Sequence, residues 1–240
     1  LLLAAGVQCL PLAIQDWTRQ CFNVDEQVHQ QQYRFVLPGA RLSADEQENL
    51  LDQVQGLSNL DYLVFSGSQP EGLAADFLGR LLQIARDKGA RCILDTSGPA
   101  LKQALHEGGL FMIKPSLSEL STLLGEAIVE PEQLAAAASG LVSAGQCQVV
   151  MVSLGAQGAL LATRERIERI SAPNVRKVST VGAGDSLLGA MLLKLAAGAS
   201  ISQAARYGVA AGSAAIMARG SNLCTLQDTE RLYAWLQKHT

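Results

Sequence analysis

Four short apolar runs constrain this chain more than anything else in it. DYLVFSG (61–67), CILD (92–95), FMIK (111–114) and VVMVS (149–153) each stop in small, polar or charged residues, and helical patterns separate them. A continuous apolar run of this length suits a strand buried on both faces. The repeated order strand, loop, helix, strand is that of a mostly parallel sheet with helices packed on both sides. Helices are expected from about Leu73 to Lys88, closed by Gly89, from Pro99 to Glu107, and over 116–124 and 131–144. LLAT and ERIERI read as antiparallel additions at one edge, followed by helices near 183–197, 201–218 and 226–238. The fold class is therefore α/β, a three-layer sandwich.

The residues ahead of the first run are less regular. LLLAAG reads as the last turns of an amphipathic helix stopped by Gly6, and VQCLPLAIQ (7–15) is a strand candidate weakened by Pro11. CFNVDEQV (21–28) and QYRFVLP (32–38) carry β-branched and aromatic residues around a short polar link, which predicts a small hairpin or flap. Ser43 and Glu46 have capping-box spacing and start a helix running to about Gln55.

Bulk composition narrows the function classes. With 240 residues, 48% of them hydrophobic, the chain can build one large core, and residues 1–240 are read as one domain. Nineteen basic against 22 acidic residues, with no basic run, argue against a nucleic-acid partner. Cys9, Cys21, Cys92, Cys147 and Cys224 form no CxxC pair and read as reduced thiols of a cytoplasmic protein. No stretch has the length and apolarity of a membrane span, and no cationic segment precedes an apolar one at the start, so a soluble, untargeted protein is expected.

In open α/β sheets ligands bind beyond the carboxyl ends of the strands. Those ends supply Ser66 to Ser68, Asp95 to Gly98, Lys114, and the loop Ser153, Leu154, Gly155, Ala156, Gln157, Gly158. STVGAGDSLLGAML (179–192) adds a helix start whose Gly182, Ala183 and Gly184 leave the backbone N–H groups uncovered, a setting for a phosphate. Asp185 in the first turn can take a proton from a hydroxyl held within reach, and anion hole plus base is a phosphoryl-transfer layout. On residue chemistry alone the plainer readings stay open. Asp185 could only cap its helix, Lys114 could be a solvated strand-end lysine, and SLGAQG could be an ordinary turn. Gly208 to Ala215 could serve close helix packing, and Arg19 could be a solvated arginine.

TVGAGD resembles the signature of the ribokinase-like (phosphofructokinase B) sugar kinases, and the resemblance extends along the chain. SGSQPEG (66–72) is similar to that family's GSLPPG loop, ILDTSG (93–98) to its DTSG strand end, and MIKPSLSEL (112–120) to its KPN-x-x-E-L segment. VSLGAQGAL (152–160) is similar to its nucleotide loop and GVAAGSAA (208–215) to its helix beside the adenine. DWTRQ (16–20) and QYRFVLPGA (32–40) resemble the branch that phosphorylates fructose 6-phosphate.

The resemblance implies Asp185 as base, with Gly182, Ala183 and Gly184 as anion hole. It implies Lys114 and Ser153 to Gly158 on ATP, Arg19 on the phosphate already carried by the sugar, and Ser68 on the sugar. Mg²⁺ is implied near Glu119, and K⁺ near Ser179, Val181, Ala215 and Gly220. The implied reaction is ATP-dependent phosphorylation of fructose 6-phosphate to fructose 1,6-bisphosphate. 1-Phosphofructokinase and tagatose-6-phosphate kinase activities are the alternatives. Ser116 stands where the family has Asn, and Ser116 with Glu119 also fits a capping box. The resemblance finds no match here for the family's opening strands and Gly-rich sugar segment, so an N-terminally incomplete domain is expected, with 16–40 including part of a β lid. A homodimer is expected for the complete protein, and a non-catalytic nucleotide-binding fragment is the second function class.

Overall fold

The computed structural model describes residues 2–26, 28, 29, 31–220 and 222–239. Uninterrupted apolar runs become strands. β3 (Tyr62–Ser66), β4 (Arg91–Asp95), β5 (Leu110–Ile113) and β6 (Cys147–Ser153) pair in parallel in that order, and β7 (Ala159–Thr163) and β8 (Ile167–Ile170) follow antiparallel. Ser66 lies opposite Asp95, and Ile113 opposite both Leu94 and Val150, so the carboxyl ends of the parallel strands form one rim.

Successive residues of a strand face opposite sides, and here they feed two cores. Leu94, Ile113 and Val150 point into one, packed by α1 (Ala44–Gly56), α2 (Phe77–Asp87), α3 (Pro99–Glu107), α4 (Leu117–Leu124) and α5 (Pro131–Ser143). Ile93, Met112 and Met151 point into the other, packed by α6 (Ala183–Ala196), α7 (Ile201–Ala215) and α8 (Leu226–His239). All six strand residues are fully buried, and each such side chain contributes about 1.5–3 kcal/mol. The expected three layers are these two helical faces and the sheet. No helix among the described residues is long and apolar enough to cross a membrane.

The flap is present as a separate antiparallel hairpin, β1 (Cys21–Glu26) and β2 (Gln31–Val36). Phe22 opposes Phe35 with rings stacked at 4.9 Å, and Val24 opposes Tyr33. These four side chains share a face and are exposed. Gln27, inside the expected first strand, and Leu1 lie outside the described residues.

Four expectations need correction. Residues 61–67 were expected to form a strand buried on both faces, but β3 is an outer strand of the sheet and Val64 is exposed. No strand forms over 7–15: Pro11 has no N–H to donate, and the segment is held instead by the Gln15 N–H, which donates to Glu46 at 2.6 Å. The opening helix is only a 3₁₀ turn, Leu3–Ala5, with Leu2 and Leu3 exposed, although Gly6 does stop it at φ 75°. α2 starts at Phe77 rather than Leu73 because the Ala74 N–H donates to the Gln47 side chain at 2.8 Å, tying that stretch to α1. The Ser43 and Glu46 capping box forms as expected.

Candidate functional site

At the start of α6, Gly182 adopts φ 74°, the left-handed region that favours glycine, and a Cβ there would have to displace the Leu223 side chain. No side chain caps this terminus, and the Ser186 N–H donates back to the Gly182 carbonyl at 2.8 Å. The first-turn N–H groups therefore keep the anion-binding character expected of them. Asp185, exposed, sits in that turn.

Lys114 leaves the end of β5, where its N–H donates to the Leu94 carbonyl at 3.0 Å. Its ammonium lies 3.0 Å from Asp95 Oδ1, and the residue is 6% exposed, which removes the reading of a solvated lysine. A Cβ on Gly184 would come within 3.2 Å of Lys114 Nζ, so the cation lies directly against the anion hole. Burial pushes the Asp95 carboxyl above its ordinary range; Lys114 pulls it back, and the nearby Asp185 and Glu119 charges reinforce the rise. Asp185 and Glu119 thus lie within electrostatic reach of the carboxylate that pairs with Lys114. Two buried hydroxyls, on Thr96 and Ser186, have no hydrogen-bond partner among the described residues.

At the end of β6, the Ser153 N–H donates to the Pro115 carbonyl at 2.9 Å, which sets the 153–158 loop beside the Lys-Pro-Ser segment. The chain then makes a 3₁₀ turn over Gly155–Gln157, closed by the Leu154 N–H on the Gly158 carbonyl at 2.8 Å. Gly158, at φ 95°, abuts the Ile170 carbonyl so closely that no Cβ fits. A cavity of about 520 Å³ is lined by Ser153, Gly155, Ala156 and Gly158, by Ala183 and Gly184, and by Gly212 and Ser213 of α7. Pro173, Asn174 and Lys177 complete a wall that the sequence reading missed, since the 171–178 stretch carries neither periodicity nor motif. Two residues of the expected loop do not point there. Leu154 packs on the core under α1–α5, and the Gln157 side chain accepts from Arg169 Nη2 at 2.8 Å. The small residues of α7 serve both readings: Cβ atoms on Gly208 or Gly212 would press on the Leu187 or Ala183 carbonyl of α6, while Gly212 also lines the cavity.

The two residues expected on the sugar meet. Arg19 Nη1 donates to Ser68 Oγ at 2.5 Å, and the guanidinium crosses Gly39 so closely that a side chain there would displace it. The Gly67 N–H donates to the Asp95 carbonyl at 3.0 Å, joining this loop to the end of β4. Buried Gln47 braces the same loop, donating to the Leu42 and Gly72 carbonyls at 3.0 Å each and accepting from Ala74. One of four amides on a polar helix, Gln47 gave no signal of that role.

Glu119 Oε2 accepts from the Ser116 N–H at 2.7 Å and from Ser116 Oγ at 2.9 Å, so the capping box is realised. Among the described residues no cluster of three or more His, Cys, Asp or Glu side chains is arranged to hold a metal ion. Behind α6, Ser179 Oγ donates to the Gly220 carbonyl at 3.1 Å and accepts from the Val181 N–H at 3.2 Å. The Val178 and Ser179 N–H groups both reach the Ile216 carbonyl, next to Ala215.

Residues 1–228 match the family described as pfkB family carbohydrate kinase. The ATP-dependent 6-phosphofructokinase isozyme 2 of Escherichia coli (strain K12) is 43% identical over 238 residues, 99% of this chain and 77% of that protein. The 1-phosphofructokinase of Bacillus subtilis (strain 168) is 34% identical over 176 residues, 73% of this chain and 57% of that protein. The crystal structure of phosphofructokinase-2 from Escherichia coli in complex with potassium superposes with a TM-score of 0.93 at 43% identity, covering 98% of this chain and 76% of that one.

Proposed function

Since this chain belongs to the pfkB family carbohydrate kinases, we propose that it transfers the γ-phosphoryl group of ATP to fructose 6-phosphate, giving fructose 1,6-bisphosphate and ADP. The observation that carries the reading is the convergence at one rim of the uncapped α6 terminus, Asp185, buried Lys114, and the Arg19 and Ser68 pair. ATP occupies the 520 Å³ cavity with its phosphates toward Gly184 and Lys114. Arg19 holds the phosphate already on the sugar, since a planar guanidinium matches phosphate oxygens in pairs. Asp185 accepts the proton of the attacking C1 hydroxyl. The N–H groups of Gly182 to Gly184 and the Lys114 ammonium stabilise charge on the transferred group, so positioning and electrostatics supply the catalysis.

Mg²⁺ fits this donor set as a phosphate-borne ion. It is commonly held by one or two carboxylates together with phosphates and waters, and Glu119 and Asp185 lie close enough to act on Asp95 while no three-carboxylate cage exists among the described residues. When bound, the ion neutralises charge on the β- and γ-phosphates. A K⁺ site at Ser179, Val181, Ala215 and Gly220 fits the carbonyl-rich junction behind α6, where Ser179 already bonds Gly220. We assign residues 1–240 to one kinase domain, with 16–40 contributing to the lid, acting in the cytoplasm with its five unpaired cysteines as thiols. The exposed apolar face of the β1–β2 hairpin supports a homodimer; sedimentation as a monomer at micromolar concentration would contradict it.

Turnover of fructose 1-phosphate or tagatose 6-phosphate is the second reading, favoured by the likeness to 1-phosphofructokinases and tagatose-6-phosphate kinases. An ADP-release assay of the purified protein against a panel of sugar phosphates decides between them. The highest kcat/KM is expected with fructose 6-phosphate. A higher value with either of the other two would replace it, and ADP release that no sugar phosphate accelerates would reject the kinase reading.

A further inference from the structure

Asp95 has no part in the transfer described above, yet it is the group that touches Lys114. We propose that Asp95 is a positioning residue that fixes the Lys114 ammonium against the N-terminus of α6, so that the cation stands at the phosphate path before nucleotide arrives. The proposal rests on the kinase reading.

Register does the placing. The Lys114 N–H donates to the Leu94 carbonyl, and the Asp95 carbonyl accepts from the Gly67 N–H, so the two side chains leave adjacent strand ends at one level. Lysine is a point charge on a flexible four-carbon stem, and a carboxylate 3.0 Å from Nζ selects one of its many rotamers. Burial makes that selection firm: Lys114 is 6% exposed, and a buried ammonium without a counter-charge is costly. The stop on the far side is Gly184, where a Cβ would crowd Nζ at 3.2 Å. Of the two other carboxylates that act on Asp95, Glu119 is engaged by Ser116 and Asp185 is exposed. Asp95 makes the contact.

The test compares Asp95→Ala, Lys114→Ala and the double variant in the purified protein, by calorimetric titration with ATP and with adenosine and by kcat. A group that acts through Lys114 affects phosphate binding and transfer, and leaves the nucleoside alone. Asp95→Ala is therefore expected to weaken ATP on the order of tenfold, to leave adenosine within about twofold, and to lower kcat on the order of 10²-fold, the scale of a misplacement of about 1 Å. The double variant is expected to be no worse than Lys114→Ala, because coupled residues are not additive. Asp95→Asn, which keeps the shape and loses the charge, is expected to fall between wild type and Asp95→Ala, and it supplies the same comparison if the alanine variant fails to fold. Losses that multiply in the double variant, ATP and adenosine affinities that fall together, or wild-type behaviour of Asp95→Ala would each overturn the proposal. If wild type releases no ADP in response to sugar phosphates, the kinase reading fails, and the ATP-to-adenosine ratio still decides whether Asp95 places Lys114.

Discussion

Asp185 and Arg19 divide the proposed chemistry between a proton and a phosphate, and each gives a distinct kinetic signature. Asp185 is exposed in the first turn of α6. Asp185→Asn should lower kcat by about 10²- to 10⁴-fold, the usual share of general-base assistance, with ATP affinity nearly unchanged by calorimetry. A kcat within about twofold of wild type would remove Asp185 as the base. Arg19 reaches Ser68 across Gly39. Arg19→Ala should raise KM for fructose 6-phosphate about tenfold or more, about 1.4 kcal/mol, with a smaller effect on kcat, as expected when binding common to ground and transition states is lost. An unchanged KM in steady-state titrations would place the sugar's phosphate elsewhere. Residues of this kind were legible in the sequence where the signal is local. The proposed anion hole and base lie within consecutive residues, and a helix start has a recognisable composition. The Asp95 and Lys114 contact was not legible, because it depends on which strands are neighbours and on their register. Leu154 and Gln157 were misread for a related reason: loop membership says nothing about which way a side chain turns, and β8 supplied Arg169 as a partner for Gln157.

Among the elements, α6 and α7 carry the site and pack closely because Gly208 and Gly212 allow it. A Cβ on Gly208 would lie 2.7 Å from the Leu187 carbonyl, which is backbone and cannot rotate away. Gly208→Ala should destabilise the fold by about 1–3 kcal/mol, seen as a lower denaturation midpoint at constant m-value. A stability equal to wild type would mean that the helices separate at little cost. The loop ahead of α6 is stitched to the end of α7 through the Ile216 carbonyl and the Ser179 to Gly220 bond. A cation held by carbonyls there would steady the anion hole by its own charge. The protein should therefore turn over faster in K⁺ than in an equal concentration of tetramethylammonium, and equal rates would argue against the site. Strands and helices followed their apolar patterns where a neighbour covers them. The pattern misled where tertiary partners decide: β3 lies at the outside of the sheet, 7–15 has a side-chain anchor instead of a ladder, and Gln47 delays the start of α2.

Across the whole molecule, a single sheet separates two cores and brings five segments distant in sequence to one rim. Arg19 comes from the approach to the hairpin, Ser68 follows β3, Asp95 ends β4, Lys114 follows β5, and Asp185 opens α6. The order of elements made this architecture legible, since parallel strands with covering helices have few alternatives. The fit between the two proposed substrate sides was not legible, because it rests on Arg19 and Ser68 meeting and on Gly184 lying against Lys114. What unites these placements is the claim that one hydroxyl of a sugar phosphate is delivered to the γ-phosphate of ATP at Asp185. The most direct test follows the product by ³¹P NMR after incubating the protein with ATP, Mg²⁺, K⁺ and fructose 6-phosphate. The account predicts ADP together with a new phosphomonoester on C1 of the sugar, absent when Asp185→Asn replaces wild type. Inorganic phosphate in place of that phosphomonoester, or the same product from Asp185→Asn at the wild-type rate, would contradict it.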